Sequence, residues 1–344
     1  MADQSLKGFE GLDSSTHNTL SFSHTPASHH QSGAPILLLL HGWPQDRYIW
    51  RYAVPPLAAA GHTLFVPDLP GYGRSPLPDP QHADRSTVGA ALLAAVRATY
   101  GAEAEDLDLD VVLVAHDRGA RVAQRLTTTP PPWSPLQPST LPSRHRVRVL
   151  GSLLLDIVPY TAQWAAFANP RHATKYFHWA FLPAGPLSAA MIKAYGGANF
   201  CRVVLEKSAG ASEEGRAKLF ADGAADHYAR MYEQEHVIVG GAADYAAGAG
   251  EDWDAEQRDL ETGRKIGVPT CVLFSERNVG GMHGGPKGVR EIWAKWVHEG
   301  VRLEVHGIGG DIGHYLPEEA PQEVNGHIVK FLESLGVKGA DARQ

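Results

Sequence analysis

Cysteine is nearly missing: 344 residues contain two, Cys201 and Cys271. Two cysteines without metal-type spacing exclude a disulfide framework and a cysteine-built metal centre, and they fit a reducing compartment. Long apolar runs are missing as well. The longest leucine-rich stretch, Ile36–Leu40, is far short of the roughly 20 residues of a membrane span. The N-terminus, MADQSLKGFEGLDSS, has no apolar segment of signal-peptide type. There is no basic excess either: Lys and Arg total 31 against 38 Asp and Glu, a net charge of −7. Nucleic acid and anionic membrane are therefore not expected as partners. The expectation is a cytoplasmic protein whose partner is a small-molecule substrate, with a homodimer left open. The chain is long for one domain and short for two independent ones. At 43% hydrophobic and 20% charged residues it can bury a sizeable core.

What is present is a rhythm of short apolar runs. Ile36–Leu40, Thr63–Pro67, Val111–Ala115, the stretch VRVLGSLLL (147–155), Val268–Ser275 and Val301–His306 each suit a strand buried on both faces. Thr19–His24 alternates and suits an edge strand. Helical patterns cover 85–100, with Asp84 or Ser86 as cap, then 117–126, 286–299 and 321–335. Strands alternating with helices predict an α/β fold with a mostly parallel sheet covered on both faces. Residues 129–143 are proline-dense and read as a surface loop. Residues 159–262 contain no buried strand but aromatic and alanine-rich helical patterns, which predicts a helical cap between two core segments, 1–158 and 263–344. His29 and His30 fall in a polar loop and read as solvated.

Open parallel sheets carry their reactive groups just beyond the carboxyl ends of the strands. Here those positions hold His41-Gly42-Trp43-Pro44, His116-Asp117-Arg118-Gly119, Asp156, and a glycine-rich loop with His314. The turn AHDRG (115–119) has the spacing of a nucleophile elbow, with Asp where G-x-S-x-G has Ser. Small residues flank the nucleophile because the turn is tight. Asp117 could instead merely cap the following helix. The order Asp117, Asp156, His314 favours a nucleophile, an acid and a base.

On these motifs the chain resembles the α/β-hydrolase family over nearly its whole length, from HGWPQD (41–46) through DLPGYGRS (68–75), HDRGARV (116–122) and LLDIVP (154–159) to GHYLPEEAP (313–321). Within it, HDRG and the pair in YFHWAFL (176–182) look most like the haloacetate and fluoroacetate dehalogenases. The resemblance implies Asp117 as nucleophile, His314 as base, Asp156 as its orienter, and the backbone amides of Trp43 and Arg118 as oxyanion hole. Glu276, after the strand ending at Ser275, is a rival for the acid, since some relatives place it there. The resemblance also implies a substrate carboxylate held by Arg118 and Arg121, and a halide held by His178, Trp179 and a cap tyrosine, with neither metal nor organic cofactor.

Chemistry accounts for the aspartate. A serine that displaced halide from saturated carbon would end as a stable ether, whereas a carboxylate becomes an ester that water can cleave. Arg118 and Arg121 are three apart at a helix start and can converge. Cations there oppose the helix dipole by roughly 0.3–1 kcal/mol each, so an anion is expected beside them. Arg121 could also be a solvated residue, and Trp179 could be core packing. ADYAAGA (243–249) points to Tyr245, although the family's following arginine is Ala246 here. Tyr228 and Tyr232 read as packing residues. The leading expectation is hydrolysis of short 2-haloacids. An epoxide hydrolase, with Tyr176 and Tyr245 protonating the opened ring, is the alternative, and a non-catalytic binding protein on this fold is the third reading.

Overall fold

A computed structural model describes residues 6–101, 108–129 and 147–339. Eight strands form one sheet: β1 Asp13–His17, β2 Leu20–His24, β3 Ile36–Leu40, β4 Thr63–Pro67, β5 Leu109–His116, β6 Val147–Leu155, β7 Thr270–Ser275 and β8 Leu303–Ile308. Their order is β1-β2-β4-β3-β5-β6-β7-β8, with only the β1/β2 and β2/β4 pairs antiparallel. The unbroken apolar runs occupy the middle, where both faces are covered. Every residue of Ile36–Leu40 is fully buried.

The edge differs from expectation. The alternating strand at Leu20–His24 is not outermost, because the polar segment Asp13–His17 folds back on it as an antiparallel hairpin. A polar, half-exposed edge strand carries little apolar signal, and it covers the row of backbone groups that β2 would otherwise leave open. Helices lie close to where the periodicity puts them, at Arg85–Tyr100, Asp117–Thr127, Gly285–Trp296 and Pro321–Ser334. Asp84 caps the first, its carboxylate accepting from the amides of Ser86 and Thr87.

Between β6 and Lys265 the chain is helical from Tyr160 to Thr262 and adds no strand to the sheet. This segment includes short helices at His178–Phe181 and long ones at Glu235–Ala249 and Glu251–Thr262. The proline-dense stretch lies outside the described residues beyond Thr129. No helix among the described residues is long and apolar enough to cross a membrane. His30, in the polar loop, contacts the Thr63 hydroxyl at 3.1 Å and stays part-buried rather than fully solvated.

Candidate active site

Strands β3, β5, β6, β7 and β8 run parallel, so their carboxyl ends open onto one edge of the sheet. Asp117 follows β5 directly, in the left-handed region at φ +45°. Asp156 follows β6 in the same region at φ +55°. Non-glycine residues held there cost free energy and recur at functional turns. The surroundings explain the small neighbours. A Cβ on Gly119 would sit 2.4 Å from the His41 carbonyl oxygen, and one on Gly42 would sit 2.4 Å from the Asp117 Cβ. Asp117 is not a helix cap: no side chain caps the helix it begins. Its Oδ2 instead accepts the Trp43 backbone N–H at 2.9 Å.

Asp117 Oδ1 lies 3.8 Å from His314 Nε2. On the other side of the ring, Nδ1 contacts Asp156 Oδ2 at 2.6 Å. Asp156 is buried and anchored through both oxygens, by the Ser275 amide at 2.8 Å and by Asn278 Nδ2 at 2.6 Å. Glu276 is exposed and turns its carboxylate toward Gly307 and Gly309. Of the two carboxylates, Asp156 is the one in contact with His314. Despite burial, hydrogen bonding to and the charges of Asp117 and Asp156 raise the His314 pKa to about 10. Burial works against the Asp117 anion, but His314, His116 and Arg118 outweigh it and hold its pKa far below the usual carboxylate range.

A cavity covers this group, with about 30 Å³ open to the centre of a water molecule. That is room for a very small guest. Its wall includes Asp117, Arg121, His178, Trp179, Tyr245 and His314. Among the described residues, none hydrogen-bonds the His178 ring, the Trp179 indole N–H or the Tyr245 hydroxyl. The His178 ring stacks on Trp43 with centroids 5.0 Å apart. Burial lowers its pKa to about 3, so it is neutral with one N–H to give. The Trp43 indole N–H is already spent on the Tyr232 hydroxyl at 2.9 Å. Tyr228, whose hydroxyl donates to Glu318 at 2.7 Å, and Tyr232 are both buried away from the cavity wall.

The two arginines part company. The Arg121 guanidinium is buried at the cavity wall, and its Nε and Nη1 have no partner. It is therefore not a solvated helix residue. Arg118 was expected beside it but is not on that wall. Its Nε donates to Asp244 Oδ1 at 2.8 Å, and its Nη2 donates to the Asp244 carbonyl at 2.9 Å and to the Tyr160 hydroxyl at 2.8 Å. A buried carboxylate captures this arginine, and the guanidinium carbon then lies 4.2 Å from the Tyr245 ring centroid. Arg118 thereby supports Tyr245 from behind. Its backbone amide stays beside the elbow, at the start of the helix.

Three contributors were given no role from the sequence. Asn278 holds Asp156, lies 3.3 Å from His314 Nδ1, and accepts from the Tyr176 hydroxyl through Oδ1. His116 contacts the His314 carbonyl at 2.8 Å and so fixes the loop that carries His314. Asp244 gathers Arg118, Arg85 and the Tyr72 hydroxyl. A polar residue three past a strand end was the only visible hint, for Asn278.

A family model described as the alpha/beta hydrolase family matches residues 37–326. A fluoroacetate dehalogenase of a Burkholderia species is 28% identical over 325 residues, which is 90% of this chain and 91% of that protein. An epoxide hydrolase B of Mycobacterium tuberculosis is 39% identical, but over 89 residues, 26% of this chain and 23% of the other. Among solved structures, a mutant of a "putative epoxide hydrolase" from Pseudomonas aeruginosa with bound MFA superposes at TM-score 0.74 and 30% identity, covering 95% of this chain and 97% of that one. A "putative acyltransferase" from Salmonella enterica reaches TM-score 0.75 at 26% identity, covering 97% and 98%. Fold, strand-end geometry and family model agree, and the chain belongs to the alpha/beta hydrolase family.

Proposed function

We propose that the protein hydrolyses short 2-haloacids, fluoroacetate among them, through an ester on Asp117, with the helical segment 159–262 serving as a cap over the site. The observation that carries this reading is the set of groups facing Asp117. They are three unpaired donors, His178, Trp179 and Tyr245, and one unpaired cation, Arg121, around a cavity suited to a very small guest. A haloacetate has one anion to anchor and one departing halide to solvate. The whole-length likeness to a fluoroacetate dehalogenase supports the same substrate class.

In this mechanism Arg121 holds the carboxylate and Asp117 Oδ1 attacks the carbon bearing the halogen. That carbon–oxygen bond forms as the carbon–halogen bond breaks, and the halide leaves toward the three donors, which strengthen as its charge develops. Esterification removes one of the two negative charges that hold His314 protonated. His314 can then release its proton to solvent and take one from water, whose oxygen attacks the Asp117 carboxyl carbon. The Trp43 and Arg118 backbone amides hold the oxyanion on Oδ2. Collapse breaks the Cγ–Oδ1 bond, His314 protonates the departing glycolate oxygen, and the Asp117 carboxyl group loses its remaining proton to solvent, with one of its oxygens now the water's.

The epoxide reading draws on the relatives but is weaker at one residue. Of the two tyrosines it needs, Tyr176 already donates its hydroxyl to Asn278. Free-halide release from fluoroacetate and chloroacetate, run beside diol formation from a styrene-type epoxide, separates the two. Halide release with no diol is expected, and diol with no halide would overturn the proposal.

A further inference from the structure

Arg121 faces two cavities. One is the cavity over Asp117, and the other is a smaller one that also reaches Arg85, Arg125, Asp252, Glu256 and Asp259. Most charges there are matched. Arg85 pairs with Asp252 at 3.1 Å, and Asp259 with Arg125 at 2.7 Å and Arg264 at 3.0 Å. Two charges remain, Arg121 and Glu256. The Glu256 carboxylate takes neutral donors, Gln124 Nε2 at 3.1 Å and the Thr161 amide at 3.0 Å. Both residues are buried, at 2% and 6% exposure. An unmatched buried acid sharing a cavity with an unmatched buried cation is not explained by stability, because a direct pair or two apolar residues would cost less.

We propose that Glu256 is a positioning residue that sets how much of the Arg121 charge reaches a bound carboxylate, so that the cavity holds small carboxylates more tightly when Glu256 is protonated. This deepens the haloacid reading and rests on Arg121 as the anion anchor. An ionised Glu256 and a substrate carboxylate compete for one cation from opposite sides. The other groups facing Glu256 are Arg121 and Arg125 from helix 117–127, Tyr160 from helix 160–166, Arg85 from helix 85–100, and Asp252 and Asp259 on its own helix. Burial raises the Glu256 pKa to about 7, with Arg121 the largest opposing influence. The histidines nearest the substrate lie away from that window: His178 is pushed to about 3, His116 and His283 to about 4, and His314 up to about 10. By reciprocity, binding a carboxylate must draw a proton onto Glu256.

The test uses acetate, which offers the carboxylate without a leaving group. Trp43 and Trp179 line the cavity and can report binding by fluorescence. In the wild-type protein the acetate Kd is expected to rise about threefold or more between about pH 6 and 8.5. Calorimetry in two buffers near neutrality should show proton uptake on binding. Glu256→Gln, which resembles the protonated acid, should lose both the slope and the uptake while keeping the tighter binding. A wild-type Kd independent of pH, without proton uptake, overturns the proposal with no variant needed. An unchanged slope in Glu256→Gln overturns it as well. Acetate that does not bind at any pH would instead remove Arg121 as the anion anchor. Since acetate is not turned over, a protein that binds it as described but releases no halide fails only as a dehalogenase.

Discussion

A histidine between two carboxylates cannot serve as a base until one of them is discharged. His314 stands 2.6 Å from Asp156 and 3.8 Å from Asp117, with its pKa raised to about 10. The Asp117 carboxylate itself stays ionised well into acid. The two chemical steps should therefore respond differently to pH. At saturating haloacetate, the halide burst should hold its rate on acidification, because the nucleophile keeps its charge. Steady-state turnover should fall, because the ester stage needs a neutral imidazole. His314→Asn is expected to release up to one halide per site and then stall, with the adduct visible in the intact mass. Turnover near the wild-type rate would remove the base role. The arginines give a second contrast. Arg121→Leu should fold and lose most haloacetate activity, whereas Arg118→Leu leaves buried Asp244 with Arg85 and the Tyr72 hydroxyl alone and should cost roughly 1.5–3 kcal/mol of stability. Equal melting temperatures for the two variants would contradict that division.

Among the elements, strand ends were the most legible. Apolar runs that stop at Asp117 and Asp156 can be read from the chain because parallel strands need continuous apolar residues and expose polar ones only where they end. The polar edge strand Asp13–His17 could not be read so, since neither of its faces demands burial. Helix Glu235–Ala249 is small and apolar around much of its surface, so periodicity does not say which side Tyr245 takes. Only the fold turns it to the cavity. The short helix His178–Phe181 is the informative one, because consecutive residues His178 and Trp179 both reach the wall. Trp179 also packs against Tyr160 and Trp164, with centroids 6.0 and 5.6 Å away, so packing and hydrogen-bond donation must be separated. Trp179→Phe keeps most of the volume and removes the N–H. Losing one such donor costs roughly 2.7–4 kcal/mol. The rate on fluoroacetate should fall by about a hundredfold or more, and clearly further than on bromoacetate, whose halide departs with less help. An equal fall on both would leave Trp179 as packing alone.

At the scale of the whole molecule, the sheet order places the ends of β3, β5, β6, β7 and β8 side by side and so collects residues from Trp43 to His314 around one cavity. The convergence of Asp117, Asp156 and His314 on one cavity could be read from their places after successive strands. The capture of Arg118 by Asp244 could not, because those residues stand 126 positions apart and no local pattern links them. The same holds for Asn278 and Asp156, joined across 122 positions. The proposed reaction runs through a covalent ester on Asp117, opened by water at its own carboxyl carbon. A single turnover of haloacetate in heavy-oxygen water, followed by peptide mass analysis, tests that most directly. The account predicts heavy oxygen in the Asp117 side chain and glycolate carrying none from that first turnover. Label found only in glycolate, with Asp117 unlabelled, would mean direct attack by water and would contradict it.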